Sequence, residues 1–570
     1  MIPAHVAAWA IERLDREPRL AAMAAREVVR QTRGPGERVI KAEPITIGTA
    51  ILSVIGITST SAVVAGAVGA AVLIGASIAV NYAISALTQK PRGTGAIDSG
   101  AGISSVESFG GALTPQAMQV VERQPIPRKR IIFGTALVSG PLFFEAVKPP
   151  YLYQGLLLCA KRITRFRSMQ VGAQQLVFSE LKPNAILAPI GRAGQPDYPT
   201  RLRASLRLGD VDQAIDPLLA QDFTSLDSGF RQRGTATAVV RYDYGADIDE
   251  YTALWGQVAR PNPIFLVDGV AVPDPRNPAH ILQYNPSDPD ETAAAEASWS
   301  YSNTAALVQT YYLIQRFGGR ILPSRIDWDK VARAADWDEG AIVCADGTSI
   351  KRHTIDGVIT LNQSPATVLS SMISANRGFV LSSAGRVWPS SSYPRDPVAT
   401  VYDGILTGGV DYRAAKPKRD LVNRLKVRFV AADREYQQVD GPVLVRSDLR
   451  TADGELLDAT LDLPFTMDHR RAQRLQKAFL GNARLGRQLT VTCDVVLLAD
   501  CSDDPIGNPI RFDSVLFAKA NGIYLCLDWS FTDNFSSVML SLVEYDPSIE
   551  TDYTAATDEQ PFVLTDLDLS

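Results

Sequence analysis

Carboxylates set beside indoles are the residue types from which sugar-cleaving sites are built, and this sequence doubles one such tripeptide: Asp327-Trp328-Asp329 and Asp336-Trp337-Asp338. A glycosidase needs two carboxyl groups facing each other across one bond, roughly 5 to 10 Å apart. Here the tripeptides stand nine residues apart on what reads as a single helix, so their acids leave it at different azimuths. Asp327 is better placed to cap that helix. Ser287 to Glu291 (SDPDE) gathers oxygen ligands of the kind calcium takes, but it lacks the glycine and the spaced ligands of an EF-hand loop and reads as a solvated acidic loop. The four histidines, His5, His280, His353 and His469, are dispersed. No H-E-x-x-H, Walker loop, G-x-S-x-G or dinucleotide fingerprint occurs. Five cysteines (Cys159, Cys344, Cys493, Cys501, Cys526) are odd in number and form no C-x-x-C pair, which argues against a disulfide framework or zinc knuckle and for buried small hydrophobes. The expectation is no catalytic residue, no cofactor and no metal.

A second kind of chemistry is recognition by charge. Arg123, Arg128, Lys129, Arg130, Lys148, Lys161, Arg162, Arg165 and Arg167 fall in a stretch whose only acid is Glu145, whereas past Lys519 there is no Lys or Arg. Such asymmetry suits contacts between neighbouring subunits or plain solvated faces. The run Arg162 to Arg167 could also touch nucleic acid, although an exposed strand face or an intersubunit salt bridge is the simpler reading. A formal net charge of -5 leaves no global basic field, so nucleic-acid binding is not expected to be the main task.

The elements that position these residues begin with a chain of 570 residues, 46% hydrophobic and 21% charged, enough for several globular domains. Residues 1–43 read as a helical hairpin stopped at Gly34-Pro35-Gly36, without the n-region and h-region of a signal peptide. Residues 44–90 form an apolar Gly/Ala-rich helical segment, uncharged from Pro44 to Gln89 and long enough to span a bilayer. Its small residues recur four apart at Ala65/Gly69, Gly66/Ala70 and Ala71/Gly75, which lets helix backbones approach closely, in protein or in lipid. Residues 91–120 read as a flexible linker.

From there the pattern is mainly β with α+β parts. Residues 121–300 read as β-rich, with strands over Arg130–Val138, Leu152–Cys159, Leu202–Leu208, Thr235–Tyr244 and Pro263–Val272. Residues 301–400 read as mixed α/β, with helices over Leu307–Phe317, Ile326–Trp337 and Pro365–Asn376. Residues 401–550 read as β-rich again, with strands at Leu421–Val430 and Gln488–Leu498 around a helix at Met467–Leu480, and 551–570 as an acidic tail. Within this frame Pro273, Asp274, Pro275 and Arg276 form a candidate structural motif: the second proline holds Asp274 extended, and Asp and Arg two apart can fix a strand end. Ser302 or Asn303 is expected to cap the helix that follows, with Trp299 and Leu307 as buried contacts at its start.

Several segments resemble the tail tip, or central tail hub, proteins of long non-contractile-tailed phages, the family typified by the lambda tail tip protein and found also in prophages and gene transfer agents. They are Gln124-Pro125-Ile126-Pro127 with RKRIIFGTALVSGPLFFEAV, LRLGDVDQAIDPLL at Leu206–Leu219, the Arg-Gly of FRQRGTATAVV, DGVAVPDPRN at Asp268–Asn277, WSYSNTAALVQTYYL at Trp299–Leu313 and AQRLQKAFLGNARLGRQL at Ala472–Leu489. Together they run in order through residues 120 to 490. Lambda-type members continue into fibre modules, whereas this chain stops soon after Tyr545-Asp546-Pro547-Ser548.

The resemblance implies a homotrimeric ring of β-rich hub domains at the distal tip of a virion tail, made in the host cytoplasm, with roles in host attachment and genome ejection. Its implied partners are a distal tail protein, a tape-measure protein and separate fibre or receptor-binding proteins, with contact to the host membrane and to genomic DNA during ejection. The alternatives are a membrane-inserting pore protein and, further off, a cell-wall hydrolase.

Overall fold

The computed structural model describes residues 109–110, 113, 119 and 121, then 127–562 except 173, 193–200, 246, 256–259, 281–288 and 533–534. The helical hairpin and the apolar segment with Ala65, Gly66, Gly69, Ala70, Ala71 and Gly75 lie outside the described residues. The chain divides into two units, one of residues 1–96 with Leu381–Val387 and one of the remainder, and all that follows concerns the second.

The first part of this unit is two five-stranded antiparallel sheets. One orders Leu142–Lys148, Tyr151–Cys159, Ala236–Asp243, Leu202–Arg207 and Ile186–Leu187. The other orders Thr135–Val138, Pro263–Asp268, Arg165–Val171, Gln174–Val177 and Gly191–Arg192. In sequence the chain alternates between them, so the two sheets are interleaved along the chain. Two glycines make this weave sterically feasible. Gly134, at φ +57°, breaks the run expected as one strand into Arg130–Phe133 and Thr135–Val138, and a Cβ there would sit 2.2 Å from Asp356 Oδ1. At Gly140 a Cβ would lie 2.1 Å from the Leu157 carbonyl oxygen, so only glycine permits that approach. The run expected over Pro263–Val272 likewise divides, into Pro263–Asp268 and Ala271–Val272.

Of the helices that follow, the ones that position the site are labelled α1 Ala305–Ile314, α2 Trp328–Glu339, α3 Pro365–Ser374 and α4 His469–Arg484. Every residue of α1 is buried, polar Gln309 and Thr310 included. Gln309 is accommodated because its Nε2 donates to the Met372 carbonyl at 3.1 Å and to Asn376 Oδ1 at 3.0 Å, which ties α1 to the end of α3. Asp327 caps α2 by accepting from the Lys330 amide, as the sequence implies, and Ser364 with Pro365 starts α3 in the same way.

The region expected as one β-rich domain over 401–550 holds two distinct sheets. In the first, Arg424–Ala431 pairs in parallel with Asp458–Leu463 and antiparallel with Gln437–Asp440 and Leu444–Val445. α4 covers it, with Ala472, Leu475, Leu480 and Ala483 in one core with Val427, Phe429 and Leu461. Phe109–Gly110, assigned to the linker from sequence, adds a short parallel strand beside Leu461 and Asp462. The second is six-stranded, in the order Ala399–Tyr402, Pro509–Asp513, Gly522–Thr532, Ser537–Glu544, Gln488–Asp494 and Leu406–Arg413. Along Gln488–Asp494 burial alternates, so Leu489, Val491 and Cys493 face the core. Each such apolar side chain contributes about 1.5–3 kcal/mol. The strand expected to reach Leu498 stops at Asp494, where the Asp494 carboxylate accepts from the Val496 amide and a short helix, Val496–Asp500, begins. Among the described residues no helix is long and apolar enough to cross a membrane.

Candidate functional site

The polar side chains singled out from sequence gather around α2, where loops from the woven sheets meet the helices. On the solvent side, the Asp274 carboxylate accepts from Arg276 Nε at 2.8 Å and Nη2 at 2.7 Å. The same guanidinium reaches across to α2, donating from Nη1 to Glu339 Oε2 at 2.7 Å and Asp336 Oδ1 at 3.0 Å. Glu339 also accepts from Thr304 Oγ1 at 2.8 Å and Lys351 Nζ at 3.1 Å. Partial burial works against the Glu339 charge, but Arg276, Thr304 and Lys351 outweigh it and bring its carboxyl down to about 2. The Asp-Pro-Arg motif therefore does more than fix its own strand end: it clamps that loop to a helix some sixty residues on.

Beneath the clamp the Asp274 amide donates to His280 Nδ1 at 3.1 Å, and Trp299 Nε1 donates to the His280 carbonyl at 2.9 Å. Trp299 is buried against Tyr311 of α1, edge to face at 5.8 Å, and Leu307 is fully buried on the same helix. The expected caps are corrected here. Neither Ser302 nor Asn303 caps α1: Ser302 Oγ accepts only from the Thr304 amide, at 3.2 Å, Thr304 holds the N-cap position with its hydroxyl turned to Glu339 and not to the first helical amides, and the Ala306 amide donates instead to Asp338 Oδ2 of α2 at 2.8 Å. A carboxylate from a packed neighbour meets the same need as a local cap. Asn303 is released to bond Asp356, with Nδ2 at 3.0 Å from Oδ1.

Asp356 and Asp268 form a second knot. Thr135 donates its amide to Asp356 Oδ1 at 2.9 Å and its hydroxyl to Asp268 Oδ1 at 2.8 Å, and the Tyr301 hydroxyl lies 2.8 Å from the same Thr135 oxygen. Asp268 is almost wholly buried, yet it is paired with Arg165 Nε at 2.5 Å and Arg167 Nε at 2.6 Å. Arg162 pairs with Asp210 and Lys161 with Glu296. The basic run thus lies on an exposed strand face whose charges are met within the chain.

The third cluster was not foreseen. Asp338 and His353 are both inaccessible, with Nδ1 of His353 2.8 Å from Asp338 Oδ1. They meet because the hairpin Ala341–Val343/Ser349–Lys351 folds the chain back along the end of α2, so the Arg352 amide reaches Gly340 and the His353 amide reaches Asp338. The signal for it was Asp346-Gly347 between short apolar runs: the hairpin closes through Ala345-Asp346-Gly347, with the Cys344 amide donating to the Thr348 carbonyl at 2.9 Å and Gly347 at φ +80°. Around the pair stand Arg352, Arg377, Arg471 and Arg474. Burial, and then these four guanidinium groups, hold His353 well below the ordinary histidine range. Burial pushes Asp338 up to about 7 against Ser391, the Ala306 amide, Arg474 and Arg352. An acid beside a histidine is a familiar proton-transfer pair, but no substrate can touch this one.

The doubled Asp-Trp-Asp resolves into four separate tasks. Asp327 caps, Asp329 sits in the first helical turn, Asp336 faces solvent and the clamp, and Asp338 is buried. The side chains of the Ser287 to Glu291 run lie outside those described. Among the described residues no group of three or more His, Cys, Asp or Glu is arranged to hold a metal. The five cysteines are unpaired, four buried and Cys501 partly so.

No family model matches the sequence, and no curated protein matches it. Among solved structures, a chain of the virion of a native gene transfer agent particle aligns with 86% of this chain and 98% of its own, at a TM-score of 0.52 and 14% identity. A tail protein from Neisseria meningitidis MC58 (75% of this chain, 100% of its own, TM-score 0.28, 8% identity) and the 43 kDa tail protein of prophage MuSo2 from Shewanella oneidensis (74% and 95%, TM-score 0.25, 10% identity) also match. At these identities the likeness is one of fold, and it is the gene transfer agent chain with which this protein shares its mainly β, multi-sheet architecture.

Proposed function

We propose that this chain is a structural protein of the tail of a phage or phage-like particle, and within the tail the central hub that closes the distal end of the tube. The observation that carries this reading is the full-length fold likeness to a gene transfer agent virion chain, which extends over 98% of that chain. The site agrees in chemistry. At the clamp and at Asp268 the charged groups are spent on one another, joining a loop to a helix through Arg276 and one strand to the next through Arg165 and Arg167, and a hub works by holding shape under load. The order of motifs seen in the sequence, from Pro125 to Leu489, supports the tail tip family in particular.

On this reading the protein is no enzyme. It assembles as a homotrimer, adjoins a distal tail protein and the end of a tape-measure protein, and carries separate fibres. The segment with Gly66 and Gly69 packs near the three-fold axis. Deleting the gene from its particle should leave tails that lack the distal tip by electron microscopy, and antibody to this chain should decorate one end of intact tails. Decoration along the tube or on the head would sink the proposal. Murein clearing by the purified chain on a zymogram would favour the hydrolase, and sedimentation with membranes in the absence of other tail proteins would favour the pore.

A further inference from the structure

The buried arginine cluster is richer in positive charge than its surroundings neutralise. Arg377 and Arg474 are at most 7% exposed, and Arg352 is half-buried with its guanidinium stacked on Trp337 at 3.9 Å. Arg471, one turn before Arg474 on α4, is set apart because it faces Asp356 and Asp468 and donates to the Lys351 carbonyl. For Arg352, Arg377 and Arg474 the facing acids are Asp338 and Glu550. Glu550 takes Arg377 Nη1 at 3.1 Å and is shared with the Ser392 hydroxyl at 2.9 Å. Asp338 is occupied by His353 and the Ala306 amide.

Three guanidinium nitrogens are left without a hydrogen-bond partner although buried: Nε of Arg352, and Nε and Nη2 of Arg377. A buried donor left unpaired costs about 1–3 kcal/mol, and more on a charged group. Arg377 is moreover held in the left-handed backbone region at φ +49°, a conformation that non-glycine residues adopt only when their surroundings impose it. Asn376 imposes it from one side, bonded to Gln309 and Ser391, and Gly378 from the other, where a Cβ would lie 2.1 Å from the Ser390 carbonyl oxygen. The chain strains its backbone to bring one more cation into a place that already has an excess.

We propose that Arg352, Arg377 and Arg474 form a structural binding site for one small inorganic anion, which accepts from the unpaired guanidinium nitrogens and supplies the missing negative charge. The mutual repulsion of the arginines supports this, since burial and then Arg352, Arg471 and Arg377 bring Arg474 down to about 9. An anion among them relieves that repulsion.

Chloride is the probe. Thermal unfolding of the full-length chain at fixed pH and ionic strength, with chloride replacing gluconate, should show Tm rising with chloride, by about 1 °C for each tenfold increase above the dissociation constant. Arg377→Met should abolish that dependence whatever it does to the starting Tm. Bromide introduced into crystals of the wild type should give an anomalous peak within hydrogen-bond reach of Arg352 and Arg377, and this arm stands even if the variant does not fold. Equal Tm in chloride and gluconate together with no bromide peak at the cluster overturns the site. So does finding that Asp566→Asn or Asp568→Asn lowers Tm while chloride has no effect, because a carboxylate of the C-terminal tail would then be the counter-charge.

Discussion

Asp338 and Glu339 are consecutive residues at the end of one helix, and they behave in opposite ways. Glu339 turns to the surface clamp, where Arg276, Thr304 and Lys351 bring its carboxyl down to about 2. Asp338 turns inward, where burial pushes its carboxyl up to about 7 although arginines surround it. Position in sequence gives no hint of this; what differs is access to water. At the surface a carboxylate keeps its hydration while gaining cations, whereas in the interior it must give up hydration first, and neighbouring guanidinium groups only partly compensate. The clamp therefore decides where a loop lies, and the buried centre decides whether the helices can pack at all.

The comparison is most exposed to Asp338→Ala. Removing one member of a buried, hydrogen-bonded charge cluster costs about 3–5 kcal/mol. Denaturant unfolding should show this loss, and a cost below about 1 kcal/mol would mean that the centre does no more than the surface. Next comes Trp299→Ala, which removes the buried anchor under the clamp at about 3–5 kcal/mol. Wild-type stability combined with lost binding to another tail protein would place Trp299 on an interface instead.

The pH response sharpens the contrast further. His353 is depressed when folded, so its contribution is present above the unfolded value near 6.5 and is lost as pH falls. Asp338 is raised when folded, so its contribution is present below the unfolded value of 3.8 and is lost as pH rises through about 7. In the wild type these two dependences oppose each other. Asp338→Asn should leave a protein whose stability climbs between pH 5 and 7, and His353→Gln one whose stability declines over the same interval. Slopes of the same sign in both variants would show the two groups not to be balanced. The smallest effect is expected for Glu339→Gln, about 1 kcal/mol, because the clamp is partly exposed. It should also weaken with added salt, which the Asp338 variants should not.

Much of the fold was legible because it repeats with a period. The alternation in Gln488–Asp494 and the capped start at Asp327 are written locally, and so is the depth of Trp299 and Leu307. Less legible were features that depend on partners distant in sequence. The Ala306 amide finds its acceptor on α2, 32 residues away, so the expected Ser302 and Asn303 caps were plausible chemistry applied to the wrong neighbour. Arg471 and Arg474 would lie on the polar side of a helix exposed on one face, yet α4 is enclosed on nearly all faces and both are buried. The Asp338–His353 pair depends on a hairpin register that no local period encodes.

Phe109–Gly110 pairs with Leu461 and Asp462, roughly 350 residues later in the chain. At about 5–20 residues per second, a ribosome needs from under twenty seconds to more than a minute to deliver the partner after the first strand has emerged. The parallel pair Arg424–Ala431 and Asp458–Leu463 must itself assemble before that edge exists. The woven sheets of residues 135 to 268 can close early, so synthesis is expected to leave a folded middle to which the Phe109–Gly110 strand is added later. The order in which this unit becomes complete is then not the order of its sequence: the strand at Phe109–Gly110 is placed only after one some 350 residues on has been made.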